Sequence, residues 1–186
     1  MIIISAPSGA GKTSIIREIL NSGLNLEFSV SACSRPKRKG EVNGKDYWFL
    51  SPDDFKHKIE KDEFLEWEEV YKDHYYGTLK SEIQRIWDKD KHVLVEADVY
   101  GGMNIKSHFP ERSLSLFIMP PSIEALKTRL IKRSTDNPEN IKTRVEKAKE
   151  EISLAKKFDA VIVNDTLSKA IRDTQHAIRS FLQQGD

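Results

Sequence analysis

Ala6-Pro7-Ser8-Gly9-Ala10-Gly11-Lys12-Thr13 follows the apolar run Ile2-Ile3-Ile4 and precedes Ser14-Ile15-Ile16-Arg17-Glu18-Ile19-Leu20. The order reads as buried strand, tight loop, amphipathic helix, which is the context a phosphate-binding loop requires. Glycines let successive backbone N–H groups turn inward around phosphate oxygens, and the next helix points its positive end at the same place. Lys12 would add a full charge for a transferring phosphoryl group, and the Thr13 hydroxyl is suited to ligate magnesium. Ala6 stands where such loops often begin with glycine. It lies at the strand end, where no positive φ is needed, so the harder backbone demand falls on Gly9 and Gly11. The bland alternative is a glycine-rich turn with a solvated lysine, which the combination of strand, spacing, Lys-Thr and helix makes the weaker reading.

Outward from this loop, short apolar stretches recur. Leu26–Ser31, His92–Ala97, Leu114–Met119 and Ala160–Val163 read as strands. Most are separated by amphipathic stretches at helical spacing: Thr13–Asn21, Leu79–Lys89, Gly101–His108, Ile123–Arg133, a long helix from Asn137-Pro138, and a terminal helix over about 168–183. Ile15, Ile16, Ile19 and Leu20 share one face of the first helix. Ile141, Val145, Ala148 and Ile152 form a stripe on the long one, and Ile171, Ile178 and Leu182 are expected inward on the last. This alternation predicts an α/β fold with a parallel five-stranded sheet covered on both faces. Such sheets bind ligands beyond their strand C-terminal ends, where the loop, Asp98 and Asn164-Asp165 all fall.

Residues 32–79 differ in character. They hold a basic, turn-rich loop, an aromatic strand candidate at Asp46–Leu50, a helix start at Ser51-Pro52, another strand candidate at Phe64–Val70, and the turn His74-Tyr75-Tyr76-Gly77-Thr78. They read as a small mixed insertion with antiparallel pairing. Its Arg35 and Arg38 present planar forks that match phosphate oxygens, with Tyr47 and Tyr76 as hydroxyl donors; the alternative is a solvated charge run. Glu66 lies in an acidic segment that alone would read as a solvated face, yet it sits between Leu65 and Trp67 in a strand. A carboxylate there can accept from the adjacent N1–H and N2–H₂ of guanine, a donor pair that adenine lacks. Asp98, at the end of an apolar strand, suits magnesium held through water, or the base or sugar of a second substrate, or simply the cap of the next helix. Arg129, Arg133 and Arg144 flank the polar break at 134–140 and suit a lid that brings positive charge to phosphates, or an ordinary helix surface paired with Glu146 or Glu150.

The 186 residues carry 30 basic and 29 acidic side chains, so no global field steers the chain to nucleic acid or an anionic membrane. Cys33 is the sole cysteine, which leaves no internal disulfide framework or cysteine-based metal site and suits a reducing cytoplasm. The N-terminal apolar run is too short for a signal-peptide core, and no run approaches a membrane span. The five histidines are scattered without ligand spacing.

Together the phosphate loop, Ser31–Phe49 with its Gly40-Glu41-Val42-Asn43-Gly44-Lys45-Asp46-Tyr47 core, Glu63-Phe64-Leu65-Glu66-Trp67, Tyr75-Tyr76-Gly77-Thr78, Asp98, Arg133-Ser134-Thr135-Asp136 and Val163-Asn164-Asp165 resemble the guanylate kinase family. The resemblance runs in order over nearly the whole chain. It implies ATP + GMP ⇌ ADP + GDP with magnesium, an enzyme of purine nucleotide metabolism. It implies a P-loop NTPase core at 1–31, 80–120 and 145–186, a GMP-binding insertion at 32–79 and a helical lid at 121–144. By resemblance, Lys12, Arg133 and Arg144 stabilise the transferred phosphoryl group. Ser8, Gly9, Ala10, Gly11, Lys12, Thr13, Ser14 and Arg129 hold ATP, with Asn164 near its adenine. Arg35, Arg38, Glu41, Tyr47 and Tyr76 surround the GMP phosphate, and Ser31, Glu66, Thr78 and Asp98 read guanine. Thr13 is the expected magnesium ligand, with Asp98 through water.

Some positions depart from the family pattern: Glu96 stands where aspartate is usual, Tyr100 where glutamine is common, and Ser134 for a frequent glycine in the lid turn. The expected partners are ATP and GMP, with no nucleic acid and no membrane, for a cytoplasmic monomer or weak homo-oligomer. Two rivals stand beside this. One is a non-catalytic guanylate-kinase-like module that binds phosphorylated partners. Gly11-Lys12-Thr13, the lid arginines and a chain expected to end with the domain argue against it. The other is a P-loop kinase of another small substrate, against which Glu66 and the Arg35/Arg38 pair argue.

Overall fold

The computed structural model describes residues 1–133 and 138–184. Its elements in chain order are β1 (Ile2–Ser5), α1 (Lys12–Leu20), β2 (Leu26–Ser29), β3 (Ala32–Cys33), β4 (Trp48–Phe49), α2 (Pro52–Glu60), β5 (Phe64–Tyr71), β6 (His74–Leu79), α3 (Lys80–Trp87), β7 (His92–Ala97), α4 (Val99–His108), β8 (Leu114–Met119), α5 (Ile123–Arg133), α6 (Pro138–Ser153), a 3₁₀ turn (Ala155–Lys157), β9 (Ala160–Val163) and α7 (Leu167–Gln183). The α/β class and the five-stranded sheet agree with expectation. The sheet order is β2-β7-β1-β8-β9, and the β2–β7, β1–β8 and β8–β9 ladders are parallel. A second, four-stranded sheet runs β4-β3-β6-β5.

The chain divides into two compact units, Met1 with Asn25–Glu96, and Ile2–Leu24 with Ala97–Asp186. In the second unit the wholly buried Ile2, Ile3 and Ile4 take register with Leu114, Ser115 and Leu116. Ile15, Ile16 and Ile19 bury one face of α1. Helices α5 and α6 pack through Leu126, Leu130, Val145 and Ala148. The stripe on α6 also buries a charge, Glu151, and on α7 the fully buried positions are Ala170, Thr174 and Ile178; Ile171 and Leu182 are only partly covered.

In the first unit, Phe55 stacks on Phe64 with ring centroids 4.2 Å apart and lies against Tyr75, Ala32 and Leu79. Ser51 caps α2 by accepting from the Asp54 N–H, with Pro52 in the first turn as read from the sequence. The expected antiparallel pairing holds for β5–β6 and β3–β6, whereas β3 and β4 pair in parallel. A parallel return needs a long connection, and residues 34–47 supply it. That connection also shortens the aromatic strand, because Asp46 turns its carboxylate back onto the Val42 N–H and leaves only Trp48–Phe49 extended.

Two further boundaries differ from the sequence reading. β2 stops at Ser29 because the Val30 N–H donates to Glu82 Oε2 rather than to a strand. Leu79 belongs to β6, not to the helix after it: it pairs with Phe64, and the N–H of Lys80, the first residue of α3, still donates to the Glu63 carbonyl.

The carboxylate of Glu27 is gripped by Lys89 at 2.7 Å, by Lys91 at 3.0 Å and by Arg85, while Arg85 also pairs with Glu82. The Lys89 ammonium, with Arg85 and Lys91 behind it, holds Glu27 down from its ordinary 4.5 to about 2. A carboxyl depressed in the folded state stabilises above its unfolded value, and that contribution is lost as pH falls from 4.5 toward 2. Melting temperatures measured between about pH 5 and pH 2.5 should therefore fall more steeply for the native chain than for Glu27→Gln. Parallel curves would show that the grip is not felt in stability.

Candidate active site

The phosphate loop has the backbone its sequence demands. Gly9 and Gly11 sit at φ 86° and 96°, a region that residues with a Cβ rarely enter. Gly11 is the N-cap of α1 without any side-chain acceptor, and no acid stands in the first turn. The helix therefore keeps an uncancelled positive end for an anion. The Lys12 ammonium donates to the Ala97 carbonyl at 2.9 Å, which stations it at the C-terminal end of β7. Ser8 and Thr13 are exposed, and Ser14 is half-buried on the first turn of α1.

Asp98 is the N-cap of α4. Its Oδ1 accepts from the Gly101 N–H at 2.7 Å, and its carbonyl accepts from Ser5 Oγ. The capping role left open by the sequence is thus what the local geometry contains. Arg129 reaches from α5 to the loop. Its Nη2 donates to the Asn164 carbonyl at 2.9 Å and its Nη1 to the Ala10 carbonyl at 3.4 Å. Asn164 itself is buried and donates from Nδ2 to the Ala10 carbonyl at 2.7 Å. Arg144 lies exposed on α6. The side chain of Arg133 and the whole of Ser134, Thr135, Asp136 and Asn137 lie outside the described residues, and with them the lid turn at 134–137. Tyr100 donates its hydroxyl to Glu150 at 2.6 Å.

The first unit carries a second cluster. Arg35 is 8% exposed, and its guanidinium meets Glu41 as a fork: Nη2 to Oε1 at 2.6 Å and Nη1 to Oε2 at 2.7 Å. It lies against the rings of Tyr47 (5.1 Å) and Phe49 (5.5 Å). Arg35, helped by the Arg38 N–H, pulls the Glu41 carboxyl down to about 2. Tyr47 packs edge-on to Tyr76. Burial, then the charge of Glu96, pushes the Tyr47 phenol up, so it stays a hydroxyl donor. Burial likewise pushes up the thiol of Cys33.

Glu66 and Thr78 are cross-strand partners on β5 and β6, and Thr78 Oγ1 donates to Glu66 Oε1 at 2.8 Å. Arg38 is exposed at the loop, and Ser31 is half-buried, with its carbonyl accepting from Trp48. So the structure gathers Arg35, Glu41, Tyr47 and Tyr76 in one group and Glu66 with Thr78 in another.

Sequence reasoning passed over several supporting residues. Phe49 forms part of the aromatic shelf beside Arg35. Asn43 accepts from the Phe49 N–H at 2.9 Å, and Asp46 accepts from Val42 at 2.6 Å, so the two tie the loop that presents Glu41. Gly44, at φ 75°, lies so close under the Trp48 indole that a Cβ would sit 2.9 Å from it. All of them lie in the stretch that carried the resemblance, which was the available signal.

Among the described residues no group of three or more His, Cys, Asp and Glu side chains is placed to hold a metal. The loop's Thr13 hydroxyl and the Asp98 carboxylate are oxygen donors of the hard type magnesium takes.

Sheet and loop together define an α/β nucleotide-binding protein of the phosphate-loop kind. The guanylate kinase family model matches residues 1–181. A guanylate kinase from Bacteroides thetaiotaomicron is 51% identical over 184 residues, covering 99% of this chain and 90% of that protein. One from Porphyromonas gingivalis is 51% identical over 183 residues, covering 98% and 97%. The crystal structure of guanylate kinase from Anaplasma phagocytophilum superposes with a TM-score of 0.78 at 29% identity, over 97% of this chain and 84% of that one. The chain belongs to the guanylate kinase family.

Proposed function

We infer that this chain transfers the γ-phosphoryl group of ATP to GMP, giving ADP and GDP. The observation that carries the reading beyond family membership is the Glu66–Thr78 pair. It holds a carboxylate, oriented by a hydroxyl, in a sheet that also presents the Arg35 fork. A guanine edge supplies the two adjacent donors that such an acceptor needs. Arg35, Arg38, Tyr47 and Tyr76 take the GMP phosphate, Glu41 sets the Arg35 fork, and Ser31 and Asp98 complete the nucleoside contacts. The glycine-bracketed loop, Lys12, Thr13, Ser14 and Arg129 hold the ATP phosphates. Arg133 and Arg144 join Lys12 in neutralising the group in flight.

The reaction is an in-line displacement. An oxygen of the GMP phosphate forms a bond to the γ-phosphorus, the bond to the β–γ bridging oxygen breaks, and ADP leaves with that electron pair. The attacking oxygen is already anionic near neutral pH, so no strong general base is required. The work is positioning and charge neutralisation. When bound, Mg²⁺ supplies charge neutralisation on the phosphates, and Thr13, with Asp98 through water, would hold it.

The proposed parts are a core at 1–31, 80–120 and 145–186, a GMP-binding insertion at 32–79 and a lid at 121–144. No described helix is long and apolar enough to cross a membrane. The reading places the chain in the cytoplasm, in purine nucleotide metabolism. It acts on small nucleotides as a monomer or weak homo-oligomer, without nucleic acid or membrane.

A coupled assay of ADP formation with GMP, AMP, CMP and UMP tests this. GMP should support turnover far better than the other three. Arg35→Lys should raise KM for GMP about tenfold or more, because an ammonium cannot reproduce the fork, and leave KM for ATP in place. An unchanged KM for GMP would remove Arg35 from the phosphate site.

A further inference from the structure

We propose that Asn164 is a positioning residue for the phosphate loop, locking the Ala10–Gly11 peptide from behind. This rests on the reading of the loop as a triphosphate site.

For loop N–H groups to turn toward phosphate, neighbouring carbonyls must turn away from it. Ala10 is wholly buried, so an outward carbonyl there needs a protein donor. The Asn164 carboxamide provides it at 2.7 Å, and only the NH₂ end of an amide can face a carbonyl. Arg129 adds a longer contact at 3.4 Å to the same oxygen.

Asn164 is itself fixed from two further sides. Its N–H donates to the Met119 carbonyl at 2.7 Å, where β8 ends, and its carbonyl accepts from Arg129 at 2.9 Å. The lock matters because the next residue is glycine. Gly11, at φ 96°, has no Cβ to resist rotation of the preceding peptide. A Cβ on Gly11 would run into the Asn164 amide nitrogen, so glycine is required there by the brace as well as by φ. The side chain that fills the space behind Gly11 is the one that holds the peptide in place. The loop is also backed by α5, whose Leu130 lies where a Cβ on Gly9 would fall. Asn164 and Arg129 thus tie the end of β9 and α5 to one loop carbonyl.

This differs from a contact with the adenine ring, because it acts on the phosphates whatever base they carry. Calorimetric titration of magnesium tripolyphosphate, which has no base, separates the two. Asn164→Asp keeps every heavy atom in place but sets a carboxylate oxygen against the Ala10 carbonyl. Asn164→Ala leaves that carbonyl the long Arg129 contact alone. Both should weaken tripolyphosphate and ATP by the same factor, about tenfold or more. GMP affinity should stay near the native value, while the melting temperature should fall, because the buried Ala10 carbonyl loses its short donor. If the alanine variant fails to fold, the isosteric aspartate variant carries the test. ATP weakened with tripolyphosphate unchanged would overturn the proposal in favour of a base contact, and neither weakened would overturn it outright. A native chain that bound no tripolyphosphate would overturn the loop reading itself, and the brace with it.

Discussion

Lys12→Ala should lower kcat by about 10³-fold while leaving a folded protein, the scale of loss seen when a charge that neutralises a phosphoryl transition state is removed. The side chain sits at the first position of α1, and its hydrogen bond to the Ala97 carbonyl is worth only about 1 kcal/mol to the fold. Stability and catalysis are therefore expected to separate. Melting temperature should move by a few degrees, whereas turnover should nearly vanish. The separation comes from where the charge acts. In the resting chain the ammonium donates to the Ala97 carbonyl and its charge also reaches Glu151. In the proposed transfer it would face oxygens that gain charge in a site the loop has already organised, where no solvent must reorient. Comparable turnover in the native and Lys12→Ala chains, measured at saturating ATP and GMP, would mean that the loop binds a nucleotide but does not assist the chemistry.

Glu66→Gln should cost about 10- to 100-fold in kcat/KM for GMP, because hydrogen bonds to a charged acceptor are worth about 1.5–3 kcal/mol and the amide sets a donor against a donor. The effect should fall mainly on KM, since base reading is made equally in the ground and transition states. The Thr78 hydroxyl that orients Oε1 reinforces this: it fixes the carboxylate in one rotamer, and in the variant it can hold the amide in the wrong orientation as well as the right one. Rates with AMP should change little, so the GMP:AMP preference should drop by nearly the full factor. An unchanged preference would mean that guanine is read elsewhere.

How far these sites were visible in the sequence depends on the distance over which each is built. The phosphate loop is continuous, so its glycines, lysine and flanking periodicities announce it, and the structure has φ 86° and 96° where the spacing demands them. The helix start at Ser51-Pro52 is local too, and Ser51 accepts from the N–H three residues on. Boundaries set by distant partners were not legible. Nothing near Val30 says that its N–H will go to Glu82, and nothing near Leu79 says that it will still be paired to Phe64. The cluster on Glu27 draws on residues 58 to 64 positions away, and each of its lysines alone looks like solvated surface.

The same holds within the candidate sites. Arg35 and Glu41 are close in sequence, but only the fold shows that both Glu41 oxygens meet that guanidinium, with Oε2 shared with the Arg38 N–H. Asn164 is expected near a base from the sequence. Its amide nitrogen faces Ala10, 154 residues earlier, a contact that the sequence does not announce. Glu151, buried on α6, breaks the apolar pattern and leaves no trace in it. Its carboxyl is pushed up by burial, with Asp98 adding to the rise and Lys147 opposing it.

The central claim is transfer to GMP rather than nucleotide binding or hydrolysis, and phosphorus NMR of a single mixture of the chain with ATP, Mg²⁺ and GMP tests it most directly. Equal amounts of ADP and GDP should appear, the GMP resonance giving way to a coupled α/β pair, with no orthophosphate growing in. ADP and orthophosphate with GMP left intact, or no change in the spectrum at all, would contradict it.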